Sequence, residues 1–245
     1  MNREKNIVNR EELIVSREEC LLTLIFISFL AKLSTMELLF ITGIGTDVGK
    51  TIAASIVAEA LGADYWKPIQ AGFEDGTDAG SVAKLVTNKS IVIHPEVYKL
   101  KTPASPHIAA RIEDIVIDIA KIVASTPASD KQYLLIEGAG GLMVPLNEDE
   151  FVIDLIERLN AKVILVSKNY LGSINHSLLS AAICKQRKIA VSGWIFNQQY
   201  MDYEEEIVQW SGYKKLHSIP LTDTIDQAFI KEQATIFQQN NAAGL

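Results

Sequence analysis

From Met36 onward, short apolar runs alternate with stretches in which apolar residues return every three or four positions. A parallel sheet covered by helices on both faces has this pattern. Leu38-Leu39-Phe40-Ile41 predicts the first strand, and Lys50 to Leu61 (KTIAASIVAEAL) a helix closed by Gly62, a residue suited to a C-cap. Asp64 to Pro68 reads as a short strand ending in Lys-Pro, and Asp78 to Val86 as a short helix. Residues 94–110, HPEVYKLKTPASPHIAA, hold three prolines and read as a long, partly extended connection of the kind that often binds substrate. Ile112 to Val123 is predicted helical. Tyr133 to Glu137 (YLLIE) is a buried strand running into a glycine-rich turn that ends at Gly141. Helices are then expected over Val152–Leu159 and Ser173–Gln186, with strands over Lys162–Ser167 and Ile189–Asn197. A polar helix near Tyr203 to Trp210, an apolar run from Leu216 to Pro220 and a last helix follow, and QQNNAAGL (238–245) reads as a frayed tail. The expectation is a doubly wound, mainly parallel α/β fold, with one catalytic domain over residues 36–237.

The first 35 residues differ in character. MNREKNIVNREELIVSREEC is strongly charged, and the apolar run after it, LLTLIFISFLA, is too short to span a bilayer as a helix and follows acidic residues. Because a chain starting at Met36 would begin directly with the first core strand, residues 1–35 are expected to be an extension without catalytic groups. The formal net charge of −7 over 245 residues gives no electrostatic footprint for nucleic acid. The partners expected are small molecules, with neither nucleic acid nor membrane. Two cysteines, Cys20 and Cys184, far apart in the chain, suit a reducing compartment, and the cytoplasm is the expected location.

Ligands of open parallel sheets bind beyond the carboxyl ends of the strands. The segments there are GIGTDVGKT (43–51), KPIQAG (67–72), EGAGG (137–141), NYLGSINH (169–176) and Asn197. A strand, a glycine-rich loop and a helix opening with Lys50-Thr51 make a phosphate cradle: backbone N–H groups meet phosphate oxygens, Lys50 reaches the β and γ phosphates, and the Thr51 hydroxyl can ligate Mg²⁺. The loop glycine Gly43 lies six positions before Gly49, one more than in the commonest form. Glu137, a carboxylate closing an apolar strand, is poorly explained by packing and suits a Mg²⁺ ligand. Asp78 taken alone is explained as well by helix capping as by metal binding. Lys67 closes another strand, and two lysines about one phosphoryl group would stabilise the charge that develops in its transfer.

These motifs together resemble the dethiobiotin synthetase family of P-loop ligases, whose loop has the form T-G-x-x-T-x-V-G-K-T; Thr42 to Thr51 fit throughout. The likeness extends through KPIQAG, TDA (77–79), TPASPHIAA (102–110), EGAGGLMVPL (137–146), LGSINH (171–176), GWIFN (193–197) and IPL (219–221). It implies an ATP- and Mg²⁺-dependent cyclo-ligase in which a carbamate, formed from CO₂ and 7,8-diaminononanoate, attacks the γ-phosphate of ATP, after which the second amine closes the ureido ring. By the same likeness Lys67, Lys50 and Thr46 are catalytic, and Thr51, Asp78 and Glu137 hold the metal. ATP falls to Asp47, Val48, Gly49, Lys50, Thr51 and Ile52, to Asp78 and Glu137 with Gly138, Ala139 and Gly140, and to Asn197, Gln198, Pro220, Leu221 and Thr222. Asn197 reads adenine. Ala71, Gly172 and Asn175 fall on substrate-binding positions, the last two serving the partner subunit of a homodimer. Ala71 departs from the family, many members of which carry a serine or threonine there.

A partitioning or division-site switch ATPase is the nearest alternative, but such proteins carry a second lysine early in the loop where this chain has Gly45. A P-loop ligase acting on another amine or carboxylate would use the same phosphate machinery.

Overall fold

In the computed structural model residues 36–198, 201–242 and 244 are described. Residues 37–127 and 131–245 make up one compact unit. The extension expected over residues 1–35 lies outside the described residues.

The most apolar runs form the centre of the sheet. β1 (Glu37–Gly43) pairs in parallel with β6 (Tyr133–Gly141) on one side and β7 (Lys162–Lys168) on the other. Strands buried on both faces read as continuous hydrophobic runs, and Leu39, Phe40 and Ile41 accordingly have no exposed surface. β2 (Asp64–Trp66) lies outside β6, followed by β4 (Ile93–His94); β8 (Val191–Asn197) and β9 (Lys215–Ile219) extend the other side. Among the described residues the order is β4-β2-β6-β1-β7-β8-β9, with every pairing parallel. β3 (Ile69–Ala71) and β5 (Tyr98–Leu100) form a separate parallel pair. This is the α/β class expected.

Helix α1 (Lys50–Leu61) has the predicted bounds, and Gly62 closes it in the left-handed region. It buries Ala53, Ala54, Ile56, Val57, Ala58 and Ala60, small and branched side chains that let it lie close against the sheet. The C-terminal helix α8 (Gln227–Asn240) packs beside it in the same core, through Ile230, Ala234 and Phe237. The remaining helices are α2 (Asp78–Leu85), α3 (Pro106–Ile112), α4 (Ile119–Ala124), α5 (Val152–Leu159), α6 (Ser173–Gln186) and α7 (Glu204–Ser211).

Several expectations differ from this arrangement. Of the helix expected over Ile112–Val123, Ile112 is the last residue of α3 and helix resumes only at Ile119: Asp114 takes a left-handed conformation just past the end of α3, and the Asp118 side chain caps α4 by accepting from Ala120 N at 2.8 Å. The connection over 94–110 contains β5 and most of α3. The expected turn at 137–141 continues as strand, because Gly141 pairs with Gly43 at the end of β1. β8 begins at Val191, two residues late, since Ile189 N still bonds Cys184 O at the close of α6. α8 runs to Asn240, past the expected boundary at 238.

Candidate active site

Three neighbouring strand ends determine what meets at the carboxyl edge. Register sets Ile41 of β1 beside Glu137 of β6, and Trp66 of β2 beside Ile136, so Lys67 emerges next to Glu137. The phosphate loop leaves β1, on the side of β6 away from β2, and turns into α1. Gly49 sits at φ 90°, and a Cβ there would lie 2.1 Å from Asn197 Nδ2, so both conformation and space require glycine. Asn197, at the end of β8, donates from Nδ2 to Val48 O at 3.0 Å and so braces the loop.

Four of the expected site side chains converge. Thr51 Oγ1 donates to Asp78 Oδ1 at 2.8 Å and lies 3.1 Å from Glu137 Oε1. Lys67 Nζ is 2.6 Å from Asp78 Oδ2 and 3.0 Å from Glu137 Oε1. Lys50 Nζ donates to Gly45 O at 3.0 Å. The two readings of Asp78 separate here: Thr77 is the N-cap of α2, accepting from Gly80 N at 3.0 Å, which leaves the Asp78 carboxylate for Thr51 and Lys67.

Electrostatics follow from burial. Burial lowers the pKa of Lys50, opposed in part by the Glu137 charge. Burial also pulls Lys67 downward, but Glu137 and then Asp78 outweigh it, and the net shift is upward. For Asp78 burial acts to raise the pKa and Lys67 overrides it, leaving the carboxyl below its ordinary value. The site thus holds the Lys67 ammonium against the ionised Asp78 carboxylate, with Glu137 on its other side. Thr51, Asp78 and Glu137 present hard oxygen donors, the chemistry Mg²⁺ takes when one or two carboxylates are completed by phosphate oxygens and water.

A cavity of about 910 Å³ opens above these groups. Thr46, Asp47, Gly49, Lys50, Thr51 and Ile52 line it from the loop and the start of α1, Lys67, Ala71, Glu137, Ala139 and Gly140 from β3, β6 and the end of β2, and Asp78 from the start of α2. Asn197, Gln198, Pro220, Leu221 and Thr222 form the far wall. Four of the expected residues lie elsewhere. Val48 is buried and meets the site through its carbonyl. Gly138 is packed so that a Cβ would lie 2.6 Å from the Phe40 ring. Gly172 and Asn175 are exposed at the start of α6 and do not line this cavity.

Other residues were not anticipated. Gln70 is buried and lines the cavity; its Oε1 accepts from Asp78 N at 3.2 Å and its Nε2 donates to Gly72 O at 2.8 Å, tying α2 to the loop after β3. Pro103 to Pro106 form another wall, within the segment read as a substrate-binding connection, although no single residue of it was singled out. Tyr65 donates from its hydroxyl to Glu137 Oε2 at 2.8 Å. A polar ring two residues before Lys67 on an apolar strand was the available signal.

A family model described as an AAA domain matches residues 37–228. The ATP-dependent dethiobiotin synthetase BioD of Cytophaga hutchinsonii is 45 % identical over 200 residues, covering 81 % of this chain and 96 % of that protein. The protein of the same description from Christiangramia forsetii is 48 % identical over 201 residues, 82 % and 95 % of the two chains. Among solved structures, the septum site-determining protein MinD complexed with Mg-ADP from Pyrococcus horikoshii OT3 gives a TM-score of 0.52 at 14 % identity, covering 83 % of this chain and 89 % of that one. A ParA family ATPase from Chlorobium tepidum TLS gives 0.50 at 15 %, covering 83 % and 92 %. At such identities the likeness to partitioning and division-site ATPases is one of fold. Close identity over nearly the whole length of the curated relatives decides between a switch and a ligase: the chain belongs to the ATP-dependent dethiobiotin synthetase family.

Proposed function

We propose that this protein makes dethiobiotin from 7,8-diaminononanoate, CO₂ and ATP. The observation that carries the reading within the structure is the Lys67 ammonium held between Asp78 and Glu137 beside the phosphate loop, in a chain of this family. One substrate amine, as its carbamate, attacks the γ-phosphorus, and the bond to ADP breaks. The second amine then attacks the carbonyl carbon of the carbamic-phosphoric anhydride, phosphate leaves, and the ureido ring closes. Lys50 and Lys67 bind and orient the anionic oxygens and offset the charge that builds on them. Thr46 is exposed in the loop and lines the cavity, where it would meet the carbamate.

Thr51, Asp78 and Glu137 would hold Mg²⁺, which supplies charge neutralisation on the phosphate oxygens. Asn197 and Gln198, with Pro220, Leu221 and Thr222, would receive the adenine. The exposure of Gly172 and Asn175, away from their own chain's cavity, supports the reading that they serve a second subunit of a homodimer. The buried Cys184 thiol, pushed up to about 12 by burial, is an inert group suited to the cytoplasm. Among the described residues no helix is long and apolar enough to cross a membrane.

The test mixes purified protein with ATP, Mg²⁺, bicarbonate and 7,8-diaminononanoate and looks for dethiobiotin by mass. Consumption of ATP without that product would point instead to a ligase acting on another amine or carboxylate.

A further inference from the structure

β-sheet register places Tyr65 directly beside Leu135. Side chains two residues apart on a strand share a face, so Glu137 follows Leu135 on the face from which Tyr65 projects. Tyr65 is completely buried, and its hydroxyl donates to Glu137 Oε2 at 2.8 Å. The other oxygen of the same carboxylate, Oε1, lies 3.0 Å from Lys67 Nζ and 3.1 Å from Thr51 Oγ1. One oxygen of Glu137 is therefore committed to the core, while the other faces the groups of the active site.

We propose that Tyr65 is a positioning residue for the divalent cation: its hydroxyl occupies Glu137 Oε2, sets the plane of the carboxylate, and leaves Oε1 as the single oxygen offered to the metal. This rests on the reading of Glu137 as a metal ligand. The terminal torsion of a glutamate is soft, so a carboxylate without that bond can turn and present both oxygens. Mg²⁺ demands near-octahedral geometry at short distances, whereas Ca²⁺ readily accepts a two-oxygen carboxylate. Fixing Glu137 through Oε2 thus favours the smaller ion as well as strengthening its site. Outer hydrogen-bond partners of metal-binding groups commonly matter to affinity by about tenfold or more.

A buried phenol also needs an acceptor for its own sake, and a purely structural bond would leave metal preference untouched. The two roles separate in Tyr65→Phe, which keeps the ring and removes the donor. Mn²⁺ bound to the full-length protein with ADP is titrated by electron paramagnetic resonance, with Mg²⁺ and Ca²⁺ as competitors, and ADP affinity is measured separately in EDTA. Tyr65→Phe is expected to keep metal-free ADP affinity, to lose about tenfold in Mn²⁺ affinity, and to narrow the preference for Mg²⁺ over Ca²⁺. Glu137→Gln, run in parallel, is expected to weaken Mn²⁺ binding at least as much. If Glu137→Gln weakens the metal and Tyr65→Phe does not, the positioning role is refuted while the ligand reading stands. If Glu137→Gln leaves Mn²⁺ binding unchanged, the ligand reading fails and this inference with it. Equal losses in metal-free and metal-dependent ADP binding by Tyr65→Phe would also overturn it, since they mark a role in the fold alone.

Discussion

The Lys67 ammonium stands 2.6 Å from Asp78 Oδ2, with 6 % of the lysine side chain exposed. This cation also neutralises Glu137, which is 1 % exposed. Removing it leaves two carboxylates facing each other with only hydroxyl donors. Lys67→Ala should abolish phosphate release dependent on 7,8-diaminononanoate, and should lower stability to urea by about 3 kcal/mol, the scale for breaking a buried ion pair from one side. Near-normal turnover would remove Lys67 from the chemistry.

The same pair makes stability depend on pH. Asp78 ionises more easily folded than unfolded, because Lys67 outweighs the burial that would raise its pKa from 3.8. Its contribution is therefore present above that value and lost as pH falls through the lower, folded one. Lys67 shifts the other way from 10.5, because Glu137 and Asp78 outweigh the burial that would lower it. Its contribution is complete below 10.5 and fades as pH rises through the folded value. The stability gap between wild type and Asp78→Asn, measured by urea unfolding, should be steady at neutral pH and shrink in acid; a gap independent of pH would show that the pair does not stabilise.

Asn197 braces the phosphate loop through Val48 O. Asn197→Asp replaces that donor with an acceptor 3.0 Å from a carbonyl oxygen. We expect KM for ATP to rise about tenfold, the effect of roughly 1.4 kcal/mol, with a smaller change in kcat. An unchanged KM would show that neither loop nor nucleotide depends on the amide.

Ala71 lines the cavity without a hydroxyl. If it borders the substrate, Ala71→Ser should lower KM for 7,8-diaminononanoate several-fold, the scale of one added hydrogen bond of about 1 kcal/mol, and leave KM for ATP alone. A matching shift in the ATP constant would place Ala71 on the nucleotide side.

A chain beginning at Met36 should retain full turnover, because every group assigned to the chemistry lies after it. Folded protein of that length without activity would assign a role to the first 35 residues.

How much of this was legible follows from what each residue needs. Gly49, Lys50 and Thr51 were readable because a strand-to-helix phosphate turn tolerates few other residues. Glu137 was readable as a charge closing an apolar strand. The continuation of β6 to Gly141 was not, since glycine carries no strand signal and the pairing depends on Gly43 in a distant segment. Tyr65 and Gln70 were missed for a related reason. Each bonds a side chain or backbone group of another element, Glu137 and Asp78 respectively, and the local mark at Tyr65, a polar ring on an apolar strand, does not name its partner. The helix expected over 112–123 is helical only at Ile112 and from Ile119 on, because apolar period does not register the left-handed Asp114 or Asp118 as a new cap.

The strand order has a consequence for how such an enzyme diversifies. Thr51, Lys67, Asp78 and Glu137 all precede Gly141, and the strands that bring them together, β1, β2 and β6, are adjacent. Asn197, Gln198, Pro220, Leu221 and Thr222, which also line the cavity, come from the end of β8 and the segments after β8 and β9. The groups proposed to handle phosphate and the residues proposed to receive the base are thus written in separate stretches of the chain, and Asn197 meets Val48 where the two adjoin. On the reading proposed above, drift in the later stretch would retune which base is accepted while Thr51, Lys67, Asp78 and Glu137 are inherited unaltered.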